Sequence, residues 1–322
     1  MTMRYRLAIL VMAILVWAGS SGARAETEAG HDFTVTLLGT GIPVPTPDRF
    51  GPATLVRAGG QSLLFDAGRG ATIRLFQLHV PLREVGPLFV THLHSDHTVG
   101  IPDVWLSGWL GGPWARRTTP FRVIGPAGTK DLMDNLERAY AADIRIRTAD
   151  EKYPAEGVRV ITQEFAADGV VYDRDGVRVT AFEVDHGDLI KPAYGYRVDY
   201  GGRSAVISGD TRFSPNVVKH GTGADLLIHE VAAVRPELLK EAAVQRVMAH
   251  HASPQDAGRV FRLAHPRLAA YTHLVLLDRP GVLAVSLDEL VRQTRETYDG
   301  PLVVGADLMT FRIGKDAVEV AR

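Results

Sequence analysis

Short apolar runs rich in β-branched residues alternate with glycine, proline and aspartate along most of the chain. Five such runs lie in the first half: FTVTLLGTG, ATLVRAGG, QSLLFDAG, PLFVTHLH and FRVIGPAG. Five more lie in the second half: VRVTAFEVDH, YGYRVDYGG, RSAVISGDT, ADLLIHE and LAAYTHLVL. Apolar runs of this length, bounded by turn residues, predict β-strands. The pattern therefore predicts two β-rich halves.

Segments with the apolar spacing of a helix lie between and after the predicted strands. They span residues 71–78, 129–140, 236–248, 254–263 and 287–298. Two β-rich halves, each with helices to cover one face, would pack as two sheets flanked by helices. The chain has no short-period repeat and no low-complexity linker. We therefore expect a layered α/β protein, and its length fits one large domain or two small ones.

The first 25 residues have the pattern of a secretory signal peptide. Arg4 and Arg6 precede an unbroken apolar run over residues 7–18, and small residues occupy both cleavage positions of ARA at 23–25. The run is shorter than the approximately 20 apolar residues that cross a membrane, so a stable membrane anchor is not expected. We predict cleavage after Ala25 and a periplasmic or secreted protein.

Composition and charge exclude some kinds of site and disfavour some kinds of substrate. The 322-residue chain contains no cysteine, which excludes disulfides, cysteine metal ligands and a cysteine nucleophile. Its formal net charge is -1 with no block of like charges, so charge alone does not require a nucleic-acid partner. We therefore expect a small anionic ester substrate rather than nucleic acid, and leave a homodimer open.

The stretch THLHSDHTVG at residues 91–100 concentrates metal-ligand chemistry directly after an apolar run. In an extended chain His92 and His94 point to the same side, and a turn at Ser95 brings Asp96 and His97 to a neighbouring point. Neutral imidazole and carboxylate are ligands for zinc and similar divalent ions. Two pairs of such ligands predict two adjacent metal ions.

Three further candidates each end an apolar run: His186 in FEVDHG, Asp210 in VISGDT and His273 in AAYTHL. The two oxygens of Asp210 suit it to bridge two ions. A single histidine at a strand end is more often structural, but three such sites beside the 92–97 cluster favour metal binding. The remaining isolated histidines are interpreted as surface or cap residues: His31, His79, His220 and His265.

The order of these motifs resembles the metallo-β-lactamase superfamily, in particular its branch with ribonuclease Z and the zinc-dependent arylsulfatases. The resemblance is carried by HxHxDH, DHG, GYR, SGDTR, HE, HHASPQDA and TH, which together span nearly all of residues 26–322. It implies a single domain over residues 26–322, folded as a four-layer αβ/βα sandwich with two zinc ions per chain in its cleft.

The resemblance also implies a role for each residue. One ion would be held by His92, His94 and His186, the other by Asp96, His97 and His273, and both by Asp210. Asp96 and His251 are the implied catalytic residues, and His251 would protonate the leaving oxygen without binding metal. Asp66 is interpreted as a hydrogen-bond partner of a ligand histidine, a usual device around metal sites.

Two zinc ions lower the pKa of a shared water from 15.7 to about 7, and the resulting metal-bridging hydroxide can attack phosphorus, sulfur or carbon. A β-lactamase is disfavoured because a bridging aspartate is foreign to that class. Three features count against ribonuclease Z. Only residues 198–207 separate GYR from SGDTR, where its tRNA-clamping arm is normally inserted. Arg69 stands where an acidic residue is usual, and a secreted enzyme does not meet precursor tRNA.

The sequence therefore favours an arylsulfatase-like hydrolase of sulfate or phosphate esters, with a ribonuclease Z-like phosphodiesterase as the alternative. A non-catalytic zinc- or ligand-binding protein is a third hypothesis, disfavoured because no ligand of the set is missing.

A tryptophan-rich loop at residues 107–120 supports the arylsulfatase interpretation. Trp105, Trp109 and Trp114 with Arg116 and Arg117 could form a flat wall beside cations, suited to an aromatic anionic ester. In the structural alternative, the tryptophans cover a helix and the arginines are solvated.

Overall fold

The computed structural model describes residues 32–321, so the leader predicted at residues 1–25 lies outside the described residues. Fifteen strands in this part of the chain form one sheet of eight strands and one of seven. The strands are β1 (Phe33–Gly39), β2 (Ala53–Ala58), β3 (Gln61–Phe65), β4 (Val85–Phe89), β5 (Phe121–Pro126), β6 (Val160–Phe165), β7 (Gly169–Arg174), β8 (Val177–Glu183), β9 (Tyr194–Tyr200), β10 (Arg203–Ile207), β11 (Leu226–Ala233), β12 (Leu268–Leu276), β13 (Leu302–Val304), β14 (Thr310–Ile313) and β15 (Val318–Ala321).

Ten α-helices accompany these strands within residues 32–321. They are α1 (Ala71–Gln77), α2 (Ser95–Thr98), α3 (Ile101–Trp109), α4 (Thr129–Ala139), α5 (Ala141–Ala149), α6 (Ala155–Val158), α7 (Pro215–Gly221), α8 (Ala242–Met248), α9 (Pro254–Ala264) and α10 (Leu287–Arg295). Two 3-10 helices cover Leu82–Glu84 and Pro236–Lys240. None of the described helices combines the length and apolar character that a membrane crossing needs.

Both sheets contain a block of parallel strands. The first sheet has the order β15-β14-β1-β2-β3-β4-β5-β6, and β3 to β6 run parallel. The second has the order β13-β12-β11-β10-β9-β8-β7, and β10 to β13 run parallel. Strand β8 has the same direction as β10, because both are antiparallel to β9. Several strands of each sheet therefore end at a common edge.

The central core lies between the two sheets and is rich in aromatic side chains. The rings of Phe65 and Phe89 stack with centroids 4.7 Å apart, and Tyr196 lies 5.3 and 5.6 Å from them. The hydroxyl of the fully buried Tyr196 donates to the carbonyl of Val90 at 2.6 Å, which satisfies its polar end. This contact ties the GYR strand of the second sheet to the segment that follows β4.

Helices cover the outer face of each sheet. On the first sheet α1, α3 and α4 bury Leu75, Trp105 and Met133. On the second sheet α9 and α10 bury Phe261 and Leu290. The layers follow the order helix, sheet, sheet, helix, so the predicted α/β fold, a four-layer αβ/βα sandwich, is confirmed.

The predicted helices agree with the structure with one exception. Segments 71–78, 129–140, 254–263 and 287–298 correspond to α1, α4, α9 and α10. Segment 236–248 is divided into a 3-10 helix and α8, because Glu241 between them has extended backbone, with φ -81° and ψ 120°. Helices α2 and α3, which follow the histidine cluster directly, were not predicted.

Candidate metal centre

The candidate site lies at the edge where strands of both sheets end. Four of the nominated side chains follow a strand within three residues: Asp66 after β3, His92 after β4, His186 after β8 and Asp210 after β10. Because the two sheets face each other, these loops meet in one cleft. A rigid scaffold that presents loops in this way is a common support for chemistry.

The segment after β4 turns sharply within six residues. His94 has extended backbone, with φ -62° and ψ 145°, and α2 begins at Ser95. The turn brings the ring of His97 to a centroid distance of 4.2 Å from that of His92. Gly68 permits this turn, because a Cβ there would lie 2.5 Å from the carbonyl oxygen of Asp96. The sequence HxHxDH thus becomes a strand end followed by a helical turn.

A β-bulge presents His273 to the cleft. The pairing of β11 with β12 passes from Glu230–Thr272 directly to Val231–Leu274, which leaves His273 as an extra residue. Its φ of 43° lies in the left-handed region that non-glycine residues rarely adopt. A bulge re-aims a side chain. His273 Nε2 accordingly lies 3.3 Å from Oδ2 of Asp96 and 3.3 Å from Oδ2 of Asp210.

Metal-ligand atoms form two neighbouring groups in which the atoms lie within 4.8 Å of one another: His92, His94, His186 and Asp210 in the first, and Asp96, His97 and His273 in the second. Asp210 Oδ2 lies between them. It is 3.9 and 3.7 Å from Nε2 of His92 and His186, and 3.3 Å from Nε2 of both His97 and His273. The fold therefore gathers all seven residues nominated as ligands.

Asp66 orients one of these histidines. Its Oδ2 lies 2.7 Å from His97 Nδ1, and it also accepts from the backbone N–H and hydroxyl of Thr91, each at 2.8 Å. A histidine that donates from Nδ1 keeps the lone pair on Nε2 for a metal. The buried His97 Nε2 has no hydrogen-bond partner among the described residues. This arrangement fits a metal ligand.

Two more histidine rings are held in the same way. His186 Nδ1 lies 2.8 Å from the carbonyl of His250, and His92 Nδ1 lies 2.9 Å from Oγ1 of Thr91. The Thr91 hydroxyl donates its own hydrogen to Asp66, so it accepts from His92. Both histidines therefore also keep Nε2 unprotonated. Neutral imidazoles with carboxylates are a donor set that zinc binds.

Burial and neighbouring charges shift the pKa values of the clustered residues in opposite directions. Burial lowers the pKa of His92 well below its ordinary value and that of His186 to about 4, so both imidazoles are neutral. Burial would raise the pKa of Asp210, but His273 and His97 outweigh it and hold that pKa well below its ordinary value. The first group therefore combines neutral imidazoles with an ionised carboxylate, as a cation site requires. At His97 and His273 burial is outweighed by Asp210, which raises the pKa of both rings above its ordinary value, so a cation bound beside them would displace their protons.

His251 lies beside the second group. One of its ring nitrogens lies within 4.8 Å of the possible ligand atoms of Asp210 and His273, and its Nδ1 lies 3.2 Å from Oε2 of the fully buried Glu230. The backbone N–H of Ala252 donates to Glu230 Oε1 at 2.7 Å and fixes the carboxyl group. Neither His251 Nδ1 nor Glu230 Oε2 has a hydrogen-bond partner among the described residues, so the Glu230 carboxyl group lies beside Nδ1 of the His251 ring without completing a hydrogen bond to it.

The tryptophan-rich loop does not reach the cleft. Trp105 and Trp109 are fully buried in the layer between α3 and the first sheet, and their indole N–H groups donate to Val158 and Pro154 carbonyls, each at 2.8 Å. Arg117 is buried with them. The expected aromatic wall for an aryl ester is therefore wrong, because the i, i+4 spacing of the two tryptophans places both on the helix face that packs on the sheet.

Sequence reasoning did not assign roles to Thr91 and Glu230. Both stand beside nominated residues, in THLH and HE, but a threonine or glutamate at a strand end has many uses. Their partners, His92 and His251, become recognisable only when β4, β11 and the loop before α9 are placed together.

A model of the beta-lactamase superfamily domain matches residues 61–274. The chain belongs to the beta-lactamase superfamily. Curated relatives within it are named ribonuclease Z. That of Mycobacterium marinum is 36% identical over 277 residues, which cover 85% of this chain and 96% of the relative. That of Mycolicibacterium gilvum is 35% identical over 284 residues, which cover 87% and 96%.

Solved structures of the superfamily share the fold. The metallo-beta-lactamase fold protein YhfI from Bacillus subtilis has a TM-score of 0.67 at 19% identity, with 86% of this chain and 98% of that chain covered. The short form of human tRNase Z has a TM-score of 0.65 at 23% identity, with 87% and 99% covered. As expected from the sequence, this chain is a metal-dependent hydrolase of ester bonds.

Two expectations are corrected by these comparisons. The arylsulfatase-like function is wrong, since the relatives at 34–36% identity are named ribonuclease Z. The expectation of a small anionic ester and no nucleic acid is wrong for the same reason. It was based on the net charge of -1, which does not describe the charge inside a single cleft. Strands β9 and β10 do form a tight hairpin without an arm. This chain nevertheless covers 96% of the Mycobacterium marinum enzyme, so the missing arm does not separate it from these relatives.

Proposed function

We propose that the protein is a dinuclear zinc phosphodiesterase of the ribonuclease Z type that cleaves RNA. The observation that carries this proposal is the convergence of seven metal-ligand residues from both sheets on one cleft, in a chain whose relatives are named ribonuclease Z. One ion is assigned to His92, His94 and His186, a second to Asp96, His97 and His273, and Asp210 to both.

Zinc ions bound there would polarise the phosphate and activate water for attack on phosphorus. The chain itself supplies the orientation of the ligands. Asp66 and Thr91 fix the rings of His97 and His92 through their Nδ1 atoms. Such partners raise ligand basicity and keep each ring in its productive orientation.

His251 is assigned as the proton donor to the leaving oxygen. Its Nδ1 faces Glu230 at 3.2 Å, so Nε2 is the nitrogen that can approach a substrate. The Glu230 carboxyl group, held by the Ala252 N–H, acts as a positioning group behind the ring. General-acid assistance of this kind contributes about 10²- to 10⁴-fold to a rate.

The test compares cleavage of a 5′-labelled RNA by the wild-type enzyme and two variants. Asp210→Ala should lose bound zinc and cleavage together, because it removes the carboxylate shared by both groups. His251→Ala should retain zinc and lose about 10²-fold or more in rate, mainly on substrates with poor leaving groups. An Asp210→Ala protein with unchanged zinc content and unchanged rate would contradict the proposal.

A further inference from the structure

A cavity of about 270 Å³ opens directly beside the proposed metal centre. One side carries the chemistry, with His94, Asp96, Asp210, His251 and His273. The other side is a wall of aliphatic side chains, defined here as the aliphatic wall: Ile42, Pro43, Val44, Val247, Val275 and Leu277. The reacting centre of a bound substrate would therefore lie next to an apolar surface.

Three separate segments build the aliphatic wall. Val44 comes from the loop after β1, Val247 from the last turn of α8, and Leu277 from the end of β12. Val44 is 57% exposed and Val247 is only partly buried, so neither serves the core. Apolar side chains that converge from distant segments on a cavity, without being buried, are typical of a ligand-binding surface.

Charge distinguishes this cavity from its neighbour. Within residues 32–321, the residues that line it include no lysine or arginine. Lys191 and Arg212 line a separate cleft, where Arg212 is paired with Asp185 at 2.8 Å. The aliphatic wall therefore offers nothing to a second anionic group and favours an uncharged one.

The position of His251 decides which part of the substrate occupies the cavity. His251 is the proposed proton donor to the leaving oxygen, and it lines the same cavity as the aliphatic wall. The group attached to the leaving oxygen must therefore lie against this wall. A volume of about 270 Å³ is just below the range of pockets that hold drug-sized ligands, and so accommodates one nucleoside or aryl group.

We propose that the aliphatic wall is a subsite for the leaving group, which packs an uncharged, flat group of nucleoside or aryl size without reading its hydrogen-bonding edge. The inference rests on the proposed phosphodiesterase function and defines its substrate class. In an RNA, the uncharged base of the leaving nucleoside would lie against this wall, and the identity of that base matters little.

The test uses two phosphodiesters that differ only in the leaving group: methyl 4-nitrophenyl phosphate and methyl 4-(trimethylammonio)phenyl phosphate. Wild-type zinc enzyme should prefer the uncharged nitrophenyl group in kcat/KM. Val247→Asp places a carboxylate in the wall and should shift the ratio towards the cationic substrate by about tenfold, within the Coulomb range for a partly exposed pair. Val170→Asp, at an exposed valine of β7, is the matched control and should leave the ratio unchanged.

Equilibrium dialysis of 4-nitrobenzyl alcohol and its trimethylammonio counterpart examines the same wall without turnover. Wild-type protein should bind the uncharged alcohol more tightly, and Val247→Asp should reverse that order with unchanged zinc content. If both phosphodiesters are cleaved but Val247→Asp changes neither the kcat/KM ratio nor the order of binding, the subsite is refuted. If neither phosphodiester nor RNA is cleaved while dialysis shows the expected reversal, the subsite stands and the phosphodiesterase function fails.

Discussion

Replacing Asp66 by asparagine tests how the scaffold sets metal affinity. Asp66 accepts three hydrogen bonds, two from Thr91 and one from His97 Nδ1 at 2.7 Å. Asparagine has the same shape but only one acceptor oxygen, so its amide nitrogen must replace Oδ1 and face the Thr91 N–H, or replace Oδ2 and face both the Thr91 hydroxyl and His97 Nδ1. In either orientation the amide N–H groups point at another hydrogen-bond donor, and the negative charge behind His97 is lost.

The magnitude follows from the role of such partners. Loss of a hydrogen-bond partner behind a ligand histidine typically costs 10- to 100-fold in metal affinity, which is about 1.4 to 3 kcal/mol. The cost should fall on the ion assigned to Asp96, His97 and His273. The ion assigned to His92, His94 and His186 should be affected less, through Thr91 alone.

The assay is zinc competition against a chelator series, read by zinc content per chain. We expect Asp66→Asn to release one of two zinc ions at a chelator strength that leaves the wild-type protein fully loaded. Asp316→Asn, an exposed carboxylate, controls for the loss of a charge. Equal retention of both ions by wild type and Asp66→Asn would refute the reasoning that Asp66 supports the metal site through His97.

Three further predictions concern other parts of the molecule. Burial lowers the pKa of His229 from 6.5 to about 4, so between these values the unfolded chain binds a proton that the folded chain does not, and stability falls as pH falls. The free energy of unfolding should therefore decrease between pH 7 and pH 4, and His229→Leu should make this decrease smaller by up to ~3 kcal/mol, as measured by urea denaturation. The same decrease in both proteins would contradict a neutral, buried His229 imidazole. Glu230→Gln should keep zinc but lower kcat more than it raises KM, and equal kcat would exclude a positioning role for Glu230. The leader stays a prediction: the mature chain exported by a bacterial host should begin at Glu26 by intact mass, and an uncleaved chain would contradict it.

The sequence alone could group the residues nominated as metal ligands because they lie at or just after the ends of apolar runs, and their role as ligands stays a prediction. Strand ends that share one direction meet at one edge, so His92, His186 and Asp210 could be grouped without knowing the pairing of the strands. The bulge at His273 could not be predicted, since it depends on a register shift between β11 and β12 that local sequence does not encode. The role of Glu230 could not be predicted either, because Glu230 comes close to His251 only in the folded chain.

The error about the tryptophans has a physical origin. Trp105 and Trp109 lie four residues apart, which is the spacing of one buried helix face, so the alternative in which the tryptophans cover a helix is the one that the structure shows. The choice of substrate failed for a different reason. A two-metal centre attacks sulfate and phosphate esters alike, so the ligands carry no information about the ester, and the deciding features lie in the surrounding walls.

The most direct test of the central claim is cleavage of a 5′-labelled RNA oligonucleotide by zinc-loaded enzyme, with the Asp210→Ala variant alongside. We predict zinc-dependent cleavage of the RNA by the wild-type enzyme and none by the variant, which should also contain little zinc. Fully zinc-loaded wild-type enzyme that leaves RNA and model phosphodiesters intact would contradict the account.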